Sequence, residues 1–156
     1  MSTHRERVKA AYDAERRIEE VNRARAALAH ERLAVAVLAA VEAGEDAAGL
    51  ALNPVKVEQL VSEARALAPV PAGRIGRSPA HVAMRYATGE ISRDEMIEAL
   101  STWPYVPVGP RAENLLNDFR PSVAGSFDDV ESALHQQYID GEAYDTILRR
   151  YAQRGR

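Results

Sequence analysis

The sequence predicts an all-α protein, and three observations carry that expectation. Apolar residues recur at three- and four-residue intervals, the spacing of one helix face. Helix-start signals recur along the chain, among them Asn53-Pro54, Ser78-Pro79 and Ser92 with Glu95. No segment alternates apolar and polar with period two, so no strand is expected. The composition agrees. Apolar residues make up 46% of the 156 positions but aromatics only 6%. Alanine carries much of the apolar count, and alanine-rich helices pack closely. The length suits one domain or two small helical lobes.

Residues 3–30 read as one long helix. Thr3 and Glu6 fit a capping box, and no Gly or Pro interrupts the segment. Ala11, Ala14, Ile18, Val21 and Leu28 form an apolar stripe. Arg16, Arg17, Glu19, Glu20 and Arg23 lie opposite, a solvated face of mixed sign. Residues 31–43 are apolar nearly all round and are expected as a second helix at the centre of a bundle, stopped by Gly44. Asp46 caps a short helix through Leu52. Asn53 then caps a helix with Pro54 at its first position. Its inner face holds Val57, Leu60, Val61, Ala64 and Leu67, and it ends by Ala68 because Pro69 and Pro71 follow.

Residues 69–79 (PVPAGRIGRSP) form the best linker, and the lobe boundary is placed there. The lobes are 1–68 and 80–156. Arg74 and Arg77 on this linker are either solvated or a flexible arm that reaches a phosphate backbone. Ser78-Pro79 restarts a helix that runs to Gly89. Ser92 and Glu95 form a second capping box, with Ile91 stapled to Met96, and that helix ends near Trp103-Pro104. Residues 103–110 hold three prolines and are expected to be extended. ENLLNDF (113–119) suits one or two turns. Ser126 and Asp129 suit a capped start for a helix over 127–139, and a last helix after Gly141 carries Tyr144, Ile147, Leu148 and Tyr151. Tyr86-x-x-Gly89-Glu90 and Tyr138-x-x-Gly141-Glu142 align as a weak repeat of two helical hairpins, with Gly taking the left-handed turn in each.

GEISRDEM (89–96) resembles the short C-terminal helical modules known as SHOCT domains, which implies interaction or assembly and carries no catalytic residue. Residues 25–68 resemble the helix-turn-helix units of small actinobacterial-type regulators. Glu42-Ala43-Gly44 matches the first stop, Ala47 to Ala51 the short helix, and Val57, Leu60 and Val61 the inner face of the third. That resemblance implies a DNA reader using Asn53, Lys56, Gln59 and Arg65, aided by Arg74 and Arg77. The turn at Leu52-Asn53 is shorter than the family's, and Glu58 and Glu63 on the same helix would oppose phosphate. Residues 1–80 carry 12 Lys+Arg against 11 Asp+Glu, and residues 81–156 carry 8 against 12, so the basic footprint is faint.

Catalytic constellations are not evident. His4, His30, His81 and His135 lack metal-ligand spacing, and AGRIGR (72–77) lacks the Lys-Ser/Thr of a phosphate loop. The absence of cysteine excludes disulfides and thiolate chemistry, and no cofactor or small-molecule substrate is implied. The longest apolar run, 33–41, is about half of a bilayer span, so a soluble cytoplasmic protein is expected. Trp103 and Tyr105 are either a partner-binding anchor or the cover of their own lobe's core. Two classes follow. One is a non-catalytic DNA-binding regulator whose acidic C-terminal lobe dimerises or binds a protein partner. The other is an interaction adaptor or assembly component, as of a phage or other mobile element, with no nucleic-acid role. They part at the third helix, where a DNA reader needs Lys56, Gln59 and Arg65 exposed together.

Overall fold

The computed structural model describes residues 2–108 and 123–154. Among them are six helices and no strand: α1 (His4–Glu42), α2 (Pro54–Ala66), α3 (Pro79–Ala87), α4 (Arg93–Thr102), α5 (Asp128–His135) and α6 (Gly141–Arg154). The turns expected at ENLLNDF fall outside the described residues.

Helix α1 starts at the expected capping box, where Thr3 Oγ1 accepts from Glu6 N and Glu6 returns a bond to Thr3 N. It then runs unbroken for 39 residues. The division expected at residue 30 does not occur, because no Gly or Pro stands between Thr3 and Gly44. Gly44 ends it at φ +98°, with Glu45 N–H bonding back to Ala40 O. Nor is 31–43 the centre of a bundle. Ala34 and Val37 bury against α2, while Leu33 and Val35 stay 44% and 42% exposed. Asp46 caps a single turn rather than a helix, its Oδ1 accepting from Gly49 N at 2.7 Å. That turn brings Ala47, Leu50 and Leu52 onto a small core made of Ala34, Val37, Val57, Leu60 and Ala64.

A second, larger core joins α3 to α6. Val82, Ala83, Met96, Leu100, Trp103, Val130, Tyr138, Ile139 and Ile147 fill it, and Ala24 from the middle of α1 enters it as well. Helix α1 therefore serves both cores. Ion pairs tie it to the segment before α3 and to the α3–α4 turn: Glu31 takes Arg77, and Arg32 takes Glu90.

The hairpins repeat, but not in the expected register. At α3–α4, Gly89 turns at φ +82° and Glu90 N–H bonds Arg85 O at 2.9 Å. At α5–α6, Gln137 turns at φ +61° and Tyr138 N–H bonds Ala133 O at 3.0 Å. Each pair of equivalents is 48 residues apart, so Ile91 matches Ile139 and the cap Ser92 matches the cap Asp140. Asp140 Oδ1 accepts from Ala143 N, as Ser92 Oγ accepts from Glu95 N. Gly141 opens α6 and makes no left-handed turn, which corrects the Gly89–Gly141 pairing. Each helix packs on its counterpart, α3 on α5 and α4 on α6. The start of α5 also differs: Phe127 precedes it without a side-chain cap, while Ser126 Oγ accepts from Asp128 N.

Candidate functional site

Three places on the molecule hold the residues singled out by sequence: α2, the strap joining the lobes, and the end of α4. A fourth, the first half of α1, emerges from the fold.

On α2, Asn53 spends its side-chain oxygen as a helix cap, accepting from Val55 N at 2.8 Å. Gln59 donates to Glu63 Oε1 at 3.2 Å, and Glu63 Oε2 meets His30 Nε2 at 2.5 Å. The His30 contact holds the Glu63 carboxyl below its ordinary range. Lys56 is half-buried, and Gln59 and Arg65 are exposed. At about 100° per residue, the nine steps from Lys56 to Arg65 place them roughly half a turn apart. The core face of Val57, Leu60 and Ala64 lies between them. The fold thus sets the two cations on opposite edges of α2, with acidic Glu58 and Glu63 along the same helix.

The strap, 67–78, is not a free arm. Arg77 pairs with Glu31, and its backbone N–H donates to His81 Nδ1 at 3.0 Å. His81 Nε2 lies 3.3 Å from the same Glu31 carboxylate. Burial, reinforced by Arg77 and Arg85, lowers the His81 pKa. Arg74 donates to Thr102 Oγ1 at 3.1 Å and lays its guanidinium over Trp103, 5.6 Å from the ring centroid. Gly76 is buried, and a Cβ there would meet Val82 Cγ2 at 2.8 Å. The two arginines read as a phosphate-reaching arm are therefore engaged in holding the lobes together.

Trp103 is 4% exposed and belongs to the larger core, so it covers its own lobe and does not stand out as an anchor. Tyr105 donates to Leu100 O and meets Phe127 and Tyr151 edge-on at 5.3 and 5.2 Å. Burial raises its hydroxyl pKa. Arg154 seals this end, donating to the carbonyls of Ser101 and Trp103, both at 2.9 Å. A cleft lined by Arg74, Ile75, Glu95, Glu98 and Thr102 lies beside it, but Glu95 is committed to its cap and Arg74 to Trp103. Among the described residues no group of three or more His, Asp or Glu is placed to hold a metal ion. None of the described helices is long and apolar enough to cross a membrane.

The apolar stripe read along α1 is covered only in its second half. Leu28 is buried and Val21 half-buried, but Ala11, Ala14 and Ile18 are exposed. Ile18 is 61% exposed, and beside it stand Val8 at 70% and Tyr12 at 64%, the largest uncovered apolar group on one of the described helices. The sequence signal that could have found this surface is Val8 and Tyr12 at i and i+4. The chain matches no family model, no curated protein and no solved structure.

Proposed function

We propose that this protein is a non-catalytic helical interaction protein, an adaptor or assembly component, that engages a protein partner through the first half of α1. The observation that carries this reading is the exposure of Val8, Tyr12 and Ile18 on α1, which borders the C-terminal lobe at Lys9, Asp13 and Arg17 and leaves these apolar side chains uncovered. Burying side chains of this size is worth about 1.5–3 kcal/mol each, so a partner that covers them gains substantially. The division of labour supports the same reading. The strap and the α4 end spend their arginines on internal ties, and α2 separates Lys56 from Arg65. A surface that reads DNA needs its cations gathered.

The test is a photo-crosslinking amino acid placed at Tyr12, with Val55 as an equally exposed control at 72% exposure. Adducts to a protein from position 12 and not from 55 support the reading. Adducts to nucleic acid, or none from either position, overturn it.

A further inference from the structure

We infer that the groove between α1 and the α5–α6 turn takes an acidic segment of the protein partner, read by Gln137 and Arg17; this rests on the interaction reading above and deepens it. The groove encloses about 520 Å³, a size that suits a few residues of chain. Lys9, Asp13 and Arg17, each one turn apart on α1, line one wall, and Leu134, Gln137 and Ile139 line the other. Each exposed apolar residue of α1 is the chain neighbour of one of these wall residues: Val8 of Lys9, Tyr12 of Asp13, Ile18 of Arg17. One residue is about 100° of helix, so the groove borders the apolar face along the same turns. A partner that covers that face reaches the groove.

The repeat singles out Gln137. Positions 89 and 137 make the same turn, at φ +82° and +61°. Gly89 shows that the turn needs no side chain, and glycine adopts it more readily than glutamine does. The chain nevertheless carries glutamine at 137 and draws nothing from it: the residue is half-buried, and its carboxamide bonds nothing among the described residues. A strained residue whose donor and acceptor both stand unused beside a groove is the pattern of a binding position. A carboxamide matches a peptide unit, donating to its C=O and accepting from its N–H.

The charges say what the segment carries. Four charged residues line the groove, and three are committed. Lys9 pairs with Asp13 at 3.1 Å. Asp140 is held by Arg93 and the Ala143 N–H, with Arg17 adding a weaker pull from farther off. Arg17 itself is exposed and makes no hydrogen bond or ion pair among the described residues. The uncommitted charge of the groove is therefore positive, and its complement is a carboxylate. Ala14, Leu134 and Ile139 supply apolar lining for the methylene stem of an Asp or Glu.

The experiment titrates the full chain and its variants with the purified protein that crosslinks at position 12. Gln137→Gly relieves the turn, so it should melt no lower than the parent, yet bind about tenfold more weakly. Arg17→Glu should weaken binding by about tenfold or more with an unchanged melt. A photo-crosslinking residue at Ala14 maps the inserted segment, which should contain an Asp or Glu. Reversing that acid to Arg in the partner should restore binding to Arg17→Glu. Unchanged binding of either variant overturns the inference, as does a mapped segment without an acidic residue. If binding is indifferent to both variants but lost in Tyr12→Glu, the groove is removed and the interaction reading stands. No protein adduct at position 12 removes both.

Discussion

Arg93 grips Asp140 with both ends of its guanidinium, Nη1 to Oδ2 at 2.8 Å and Nη2 to Oδ1 at 3.1 Å. The pair joins the first residue of α4 to the cap of α6, so it fastens one hairpin to its counterpart. Asp140 also accepts from Ala143 N at 2.8 Å. Arg93, then the Ala143 N–H, hold its carboxyl below the ordinary range.

Replacing Asp140 by Ala removes both the cap and the clasp. The side chains are 35% and 51% exposed, so solvent screens the ion pair and the cap supplies most of the loss. The expected cost is about 1–2 kcal/mol. Asp140→Asn keeps a capping oxygen and should cost less. Because the folded pKa is depressed, this contribution is full above the ordinary carboxylate range and is lost as pH falls through the folded value. Thermal melts of the three proteins from neutral to acid pH check both the order and the sign.

His81 gives a second, milder pH dependence. Its Nδ1 accepts the Arg77 N–H, its Nε2 faces Glu31, and Arg85, Glu90 and Arg32 surround the site. Protonation of Nδ1 would break the Arg77 bond. The folded pKa is lowered, so the unfolded chain takes the proton first. Stability is therefore full above about pH 6.5 and declines as pH falls below it. His81→Gln should flatten this part of the melting-temperature profile. An unchanged slope between neutral and mildly acid pH would show that His81 does not titrate in this way.

The repeat predicts two changes of opposite sign. Gln137 adopts φ +61°, a conformation that costs a side-chain-bearing residue about 1 kcal/mol, so Gln137→Gly should raise stability by up to that amount. Gly89 sits at φ +82° with nothing near its missing Cβ, so Gly89→Ala should lower stability by about 1 kcal/mol through backbone strain alone. Urea titration measures both, and equal signs would contradict the shared turn.

Trp103→Ala should cost about 3–5 kcal/mol, the usual loss for a buried aromatic, because the ring is 4% exposed in the larger core. Arg74→Ala removes the guanidinium over the ring and the bond to Thr102, and should cost about 0.5–1 kcal/mol. A Trp103→Ala protein with an unchanged melt would return this residue to the role of anchor.

Local chemistry made much of the fold legible. Thr3 with Glu6, Asn53-Pro54, Ser78-Pro79 and Ser92 with Glu95 each start a helix where their side chains demand one. What escaped depends on distant partners. Arg77 finds Glu31 across 46 positions, and no local pattern announces that meeting. The repeat was aligned on its glycines because residue type signals a left-handed turn at Gly89 but not at Gln137. Ile91-Ser92 and Ile139-Asp140 carry the true register in their cap chemistry. The stripe on α1 was visible as periodicity, but periodicity does not say how much of it this chain covers.

The most direct measurement is amide hydrogen exchange over α1 in the protein alone and with the protein that crosslinks at position 12. If the first half of this helix is the contact surface, exchange over residues 5–20 slows in the complex while α2 is unchanged. Equal exchange in those turns with and without the partner, or slowing confined to α2, would contradict the account.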